Sequence, residues 1–244
     1  MKNITWPRRI VEVRHGDSVR NHIRRRQSAG EPVPEFREYF ESVPDHLVDL
    51  TAKGDKQTLS AGHIIAPRFP HFDVAFHSGY LRTKKTLRNV LAAYPEEERK
   101  RIPVREDILL REREQGRAFM MDLERELAEF PWWDKHFKLF GRMFARPETG
   151  ESVAMVADRA NTFLMKLRLD YAGKDVLIAT HGRMLVTMRM ILEDWSIEQT
   201  EAFMTNHNPE RPKNAGITVY EYDEELGKMK LIEYNTHCGY HERE

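Results

Sequence analysis

A chain of 244 residues can bury a substantial core and fits one large α/β domain or two small ones. Lysine plus arginine equals aspartate plus glutamate at 39 each, which argues against nucleic acid or a membrane surface as a partner. The one cysteine, Cys238, excludes an internal disulfide framework and fits a reducing compartment. The amino end has no apolar leader and no stretch is long enough to cross a bilayer, so a soluble, cytoplasmic protein is expected.

In chain order, Ile10 to Val13 is predicted to be the first strand, ending at Arg14-His15-Gly16, with a loop or short helix from Asp17. Seven arginines (Arg8, Arg9, Arg14, Arg20, Arg24, Arg25 and Arg26) crowd this region against Glu12 and Asp17, a field that attracts anions. Arg24 to Arg26 read either as a solvated basic helix face or as contacts for a multiply phosphorylated substrate. Residues 28–50 hold Pro32, Pro34 and Pro44 and read as a long surface excursion. A helix through Gln57, Leu59, Ile64 and Ile65 follows, stopped by Pro67. Phe72 to Phe76 alternates as a half-buried strand should. The next helix carries Leu81, Leu87, Val90 and Leu91 on one side and ends before Pro95, and Ile102 to Leu110 reads as another strand.

Residues 117–149 are rich in Phe, Trp and Met, at helical spacing in places. Phe130, Trp132, Trp133, Phe137, Phe140, Met143 and Phe144 form either a lid that sets the class of leaving group or the ordinary packing of a helical hairpin. Ser152 opens a helix with Val153, Val156, Ala157, Ala160, Phe163, Leu164 and Leu167 on one face, and Glu151 with the Ser152 hydroxyl suits its amino end. Asp175 to Ala179 reads as the central strand, ending in Thr180-His181-Gly182. Met184 to Leu192 is the next helix, and Ile217 to Tyr222 with Met229 to Tyr234 the closing hairpin. Alternating strands and helices predict an α/β protein: a three-layer α/β/α sandwich on a mostly parallel sheet. One domain over 1–244 is expected, with a cap inserted at about 117–149.

His15 and His181 lie 166 positions apart, each after a strand rich in β-branched residues and before a glycine. Strands of an open sheet deliver such residues to one edge, where ligands bind. Arg82 follows the second strand and Glu112 the third, so the parts needed for phosphoryl transfer converge. They are a nucleophilic imidazole, cations for the nonbridging oxygens and an acid for the leaving alcohol. The His237, Cys238 and His241 tail lacks zinc spacing, and neither a metal nor another cofactor is expected.

Arg14-His15-Gly16-Asp17-Ser18 with Asn21 resembles the "RHGES…N" motif of the histidine phosphatase superfamily, which includes the cofactor-dependent phosphoglycerate mutases. Leu50 to Gln57 is similar to its "LTxxGxxQ" helix start, Ser78 to Thr86 to "SPYxRTxxT" with Gly79 in place of proline, and Leu110 to Gly116 to "LxExxxG". Gly150-Glu151-Ser152 and Thr180-His181-Gly182 complete the series in family order. The resemblance implies a phosphoglycerate mutase-like fold. It also implies His15 as the phosphorylated nucleophile, Arg14, Arg82 and His181 as phosphoryl-binding groups aided by Asn21 and Ser18, and Glu112 as general acid and base. Asp17 stands where the family usually has glutamate, and the spacing to Gly116 favours Glu112 over Glu114.

Mutases carry a tryptophan before the asparagine and tend to have tyrosine at the position of Gln115, and Val19-Arg20-Asn21 does not match them. A metal-independent phosphomonoesterase is therefore expected, acting on a phosphorylated small molecule or a phosphoprotein. A mutase-type phosphotransferase and a non-catalytic phosphate-binding module are the alternatives. Oligomeric state is left open.

Overall fold

The computed structural model describes residues 5–121, 128–204 and 208–237. Strands β1 Arg9–Arg14, β2 Val74–His77, β3 Val104–Glu106, β4 Asp175–Thr180, β5 Ile217–Asp223 and β6 Lys228–Thr236 form one sheet in the order β3-β2-β4-β1-β5-β6. The first four run parallel; β5 is antiparallel to β1, and β6 to β5. The fully described helices are α1 Val19–Ser28, α2 Glu35–Ser42, α3 Ala52–Ile65, α4 Leu81–Leu91, α5 Glu96–Arg101, α6 Trp133–Phe144, α7 Val153–Asp170, α8 Gly182–Leu192 and α9 Ile197–Phe203.

Alternation along the strands divides their side chains between two cores. On one face Val11, Val13, Ala75, Leu177 and Ala179 pack with Ala61 and Ile65 of α3 and with Leu87 and Val90 of α4. On the other, Ile10, Val74, Phe76, Val176 and Ile178 pack with Phe163 and Leu164 of α7 and with Met184 and Met188 of α8. This is the expected three-layer α/β sandwich. Each large aliphatic or aromatic side chain buried in it contributes about 1.5–3 kcal/mol. Among the described residues no helix is long and apolar enough to cross a membrane.

Three local expectations need correction. Residues 28–50 are not a bare surface excursion: α2 lies within them, and Phe36, Phe40 and Val48 are buried with Ile23. The prolines flank the helix, with Pro34 at its N-cap and Pro44 beyond its end, where a missing N–H costs nothing. Ile102 to Leu110 is not one strand. Only Val104–Glu106 pairs, at an exposed edge, and the Asp107 carboxylate accepts the Leu109 N–H at 3.0 Å and turns the chain into a 3-10 helix. The second strand is fully rather than half buried at Val74, Ala75 and Phe76, because helices cover both faces.

Strand β4 comes late in the chain but inserts between β2 and β1. Its register pairs Arg14 with Thr180 and His77 with Ala179. The residues just beyond those pairs are His15, His181 and Ser78, which therefore emerge side by side at one edge.

Candidate active site

The segment after β1 is pressed against the start of α3. A side chain at Gly16 would run into the Gly54 carbonyl, and one at Gly54 into the Asp17 carbonyl, so both positions require glycine for close approach. The Thr51 N–H donates to the Asp17 carbonyl at 2.9 Å, and the Asp17 N–H donates to Gln57 Oε1 at 2.9 Å. Arg25 pairs with both Asp17 carboxylate oxygens at 2.5 and 2.9 Å. These contacts give the Thr51, Gly54 and Gln57 pattern its physical meaning: it fixes the turn that carries His15.

His15 is 3% exposed, and its Nδ1 lies 2.7 Å from the Gly16 carbonyl oxygen. A carbonyl only accepts, so Nδ1 carries the proton and Nε2 keeps its lone pair. The His181 ring is buried 5.2 Å from the His15 ring, centroid to centroid. A chain of hydroxyls fixes its tautomer as well. Thr83 Oγ1 donates to the Tyr80 carbonyl at 2.8 Å, so the Ser78 hydroxyl donates to Thr83 across 2.9 Å and accepts from His181 Nε2 at 2.8 Å. His181 Nδ1 is a buried nitrogen with no hydrogen-bond partner among the described residues. Burial, followed by the charges of Arg82 and Arg14, pushes the His15 pKa well below its ordinary value; burial, Arg82, His15 and Arg14 do the same to His181.

Two of the predicted phosphoryl-binding cations lie at this edge. The Arg82 guanidinium is 4% exposed, donates to the Asp45 carbonyl at 2.6 Å and lies over the Tyr80 ring. Arg14 donates to the Pro212 carbonyl at 2.6 Å while its buried Nε has no hydrogen-bond partner among the described residues. Burial lowers the Arg14 pKa, with Glu112 and Asp17 pulling the other way. A Cβ at Gly182 would sit 3.2 Å from Arg14 Nε, so the second glycine makes room for this side chain.

Ser18 and Asn21 form the capping box of α1: the Asn21 N–H donates to Ser18 Oγ, whose hydroxyl donates to Asn21 Oδ1 at 3.0 Å. The Ser18 hydroxyl is thus engaged within the helix cap. Glu112 and Arg14 line one cavity of about 190 Å³. Glu112 Oε1 accepts the Arg113 N–H at 2.8 Å. It does not stand at a strand end, as β3 stops at Glu106 and a 3-10 turn intervenes.

The loop carrying Glu112 is held by a device the sequence reading placed elsewhere. Glu151 does not serve the amino end of α7, where the Ser152 hydroxyl alone caps. Its carboxylate accepts from Arg159 Nε and Nη2 at 3.0 Å each, from Arg111 at 2.9 Å and from the Glu114 N–H at 2.9 Å. Arg159 also donates to the carbonyls of Leu109, Arg111 and Glu112. Burial would raise the Glu151 pKa, but the hydrogen bonds from Arg159 and the Glu114 N–H hold it below the usual value. Asn214 was also missed. Its amide donates toward the His15 and Gly16 carbonyls and Asn21 Oδ1 at 3.1–3.2 Å. The signal was available in the closing strand: β5 runs antiparallel beside β1, so the residues before it return to the edge where β1 ends.

Arg24 to Arg26 are each engaged by protein groups, with Arg25 still exposed to solvent. Arg24 donates to the Met121 carbonyl and lies over Phe36, Arg25 pairs with Asp17, and Arg26 pairs with Glu31 and Glu35. In the aromatic segment α6 breaks at Gly141, whose φ is +67°. Met143 is buried, Phe140 and Phe144 are exposed, and Trp133 and Phe137 line a second cavity. Of the tail, Cys238 and His241 lie outside the described residues.

Residues 10–235 match the histidine phosphatase superfamily (branch 1). The chain belongs to that superfamily. It is 31% identical over 236 residues to the phosphoglycerate mutase-like protein AT74 of Arabidopsis thaliana, covering 90% of this chain and 66% of the plant protein. The chain thus spans just under two thirds of that relative. A 2,3-bisphosphoglycerate-dependent phosphoglycerate mutase of Parvibaculum lavamentivorans is 30% identical over 194 residues, 77% of this chain and 87% of that protein. Among solved structures, mycobacterial glucosyl-3-phosphoglycerate phosphatase in complex with inorganic phosphate superposes with a TM-score of 0.67 at 20% identity, covering 94% of this chain and 97% of the other. Bacillus stearothermophilus YhfR gives 0.69 at 20% identity, with 92% and 95% covered. These likenesses show the fold of the superfamily.

Proposed function

We propose that the chain is a metal-independent phosphomonoester hydrolase that works through a phosphohistidine on His15. The observation that carries this reading is the His15 tautomer: with Nδ1 committed to the Gly16 carbonyl, Nε2 offers its lone pair in a pocket of cations. Burial and the neighbouring guanidinium groups keep the ring neutral and hence nucleophilic at neutral pH.

In the first step Nε2 attacks phosphorus. The N–P bond forms as the bond to the leaving oxygen breaks, and that oxygen takes a proton from Glu112. Arg14, Arg82 and the Asn21 amide hold the nonbridging oxygens and neutralise their charge. An arriving phosphate dianion offsets the two guanidinium charges, so His181 Nδ1 takes up a proton and donates to the phosphoryl group. Ser18 acts through Asn21, whose Oδ1 it fixes. In the second step the Glu112 carboxylate takes a proton from water as the water oxygen attacks phosphorus, and inorganic phosphate leaves His15.

Transfer between substrate hydroxyls is the second reading, favoured by the 30% identity to a bacterial phosphoglycerate mutase. Hydrolysis is supported by Gln115, which stands where mutases tend to have tyrosine and whose Oε1 accepts from Arg20 at 2.8 Å.

The deciding experiment is phosphate release, in chelator, by wild type and His15→Ala. The esters are 3-phosphoglycerate, sugar phosphates, nucleotides, inositol phosphates and an aryl phosphate. Release by wild type and its loss by about 10⁴-fold or more in the variant is expected for a covalent nucleophile. Interconversion of phosphoglycerates with little free phosphate establishes transfer instead. No chemistry at all, with stabilisation by phosphate, establishes a binding module.

A further inference from the structure

The cavity that holds Arg14 and Glu112 does not end there. It shares Arg113 and Arg183 with a neighbouring cavity of about 710 Å³. Arg113 enters from the Glu112 loop, Lys138 and Arg142 from α6, and Arg183 from the first turn of α8, while Arg211 borders the smaller cavity. Among the described residues, Glu201 is the carboxylate on the larger cavity, and one of its oxygens accepts the Met143 N–H at 3.0 Å. Neither Arg183 nor Arg211 forms a salt bridge among the described residues.

So many cations around one volume repel each other. Burial and then Arg113, with Arg211 and Arg142 behind it, bring the Arg183 guanidinium down to about 10 although the Glu112 carboxylate pulls it up, and burial with Arg142 lowers Arg211. A bound polyanion would relieve that repulsion, and arginine forks suit phosphate oxygens. Trp133 and Phe137 add a second chemistry on the same wall, with ring centroids 4.5 Å apart. Flat aromatic and guanidinium faces both accept a planar ring. The volume is that of a site for a drug-sized molecule, and a three-carbon alcohol would leave most of it empty.

Resting on the phosphatase reading, we propose that the joined cavities receive a leaving alcohol that carries both a second phosphate, held where the two meet, and an aromatic ring, held in the outer one. That is the chemistry of a nucleoside 3′,5′-bisphosphate. Arg183 and Arg211 hold the second phosphate, and Trp133 with Phe137 packs the ring. The multiply phosphorylated substrate that was one of the two readings of Arg24 to Arg26 thus meets a different set of arginines, since those three pair with Met121, Asp17, Glu31 and Glu35.

Calorimetry on the His15→Ala protein tests this without turnover. Adenosine 3′,5′-bisphosphate should bind at least tenfold more tightly than adenosine 3′-monophosphate, and Arg183→Gln or Arg211→Gln should erase that preference. Arg183→Lys, which keeps the charge and loses the fork, should retain part of it. Trp133→Leu should weaken adenosine 3′,5′-bisphosphate tenfold more than propane-1,3-diol bisphosphate, which has no ring. Equal affinity for the two adenosine nucleotides, or a preference that survives in both glutamine variants, overturns the second-phosphate site. Equal weakening of the ringed and ring-free bisphosphates by Trp133→Leu overturns the ring site. Phenyl phosphate, turned over by wild type and not by His15→Ala, reports separately on the phosphatase reading: its failure rejects that reading, while the affinity ratios still decide the cavity.

Discussion

The cavity beside the cradle and the outer cavity share two arginines, yet the cradle and the outer cavity differ in what surrounds their side chains. In the cradle a hydrogen-bond partner holds each group: His15 by the adjacent Gly16 carbonyl, and, from distant parts of the chain, His181 through Ser78 and Thr83, Arg82 by Asp45 and Arg14 by Pro212. The Glu112 loop hangs on Arg159 and Glu151. In the outer cavity Arg113, Arg142 and Arg183 face one volume and repel one another. A reacting phosphorus demands atoms placed within a fraction of an ångström, whereas the recognition of a remote anion is served by a field.

The sharpest way to break the comparison is Arg159→Leu. It takes from the buried Glu151 carboxylate its two bonds to Arg159, leaving Arg111 and the Glu114 N–H, and frees the loop of Glu112, so a loss of about 3 kcal/mol is expected in denaturant unfolding. Adding Glu151→Gln should recover part of that stability without restoring turnover. Gly182→Ala comes next. Its new Cβ presses on Arg14, and kcat/KM for an aryl phosphate should fall by about 10²-fold; unchanged kinetics would show that the place of Arg14 is not demanding.

The pH dependence of the cradle follows from its histidines. His15 and His181 have pKa values depressed in the fold, so the unfolded chain binds more protons once the pH drops below the ordinary value of 6.5. Their contribution to stability is therefore present above 6.5 and is lost as pH falls toward the folded values. The acid limb of kcat/KM should lie below 6.5 for the same reason, and Arg82→Gln, which removes a charge that depresses both rings, should move it upward. A limb that stays in place would reject the electrostatic account. The smallest effect belongs to the outer cavity: Arg183→Gln relieves repulsion and breaks no ion pair among the described residues, so thermal unfolding should change by no more than about 0.5 kcal/mol.

Legibility in the sequence followed the same divide. His15, His181 and Arg82 were readable because each follows a buried strand, and β-branched runs ending in glycine-flanked turns are local signals. Glu112 was readable through its motif, while the strand assigned before it was wrong because Asp107 ends the pairing early by capping a 3-10 turn. The helix within residues 28–50 was hidden by prolines that flank it instead of breaking it.

The sequence by itself determined the alternation of strands and helices, the identity of the groups at the sheet edge and the superfamily they belong to, because periodicity and short motifs are properties of neighbours in the chain. Only the tertiary structure decided that β4 inserts beside β1, that a hydrogen-bond chain through Ser78 and Thr83 selects the His181 tautomer as the Gly16 carbonyl selects that of His15, and that Glu151 serves Arg159 rather than its own helix. It alone gathered Arg113, Arg142, Arg183 and Arg211 around adjoining cavities, since they come from four separate segments and no local pattern announces a meeting set by packing.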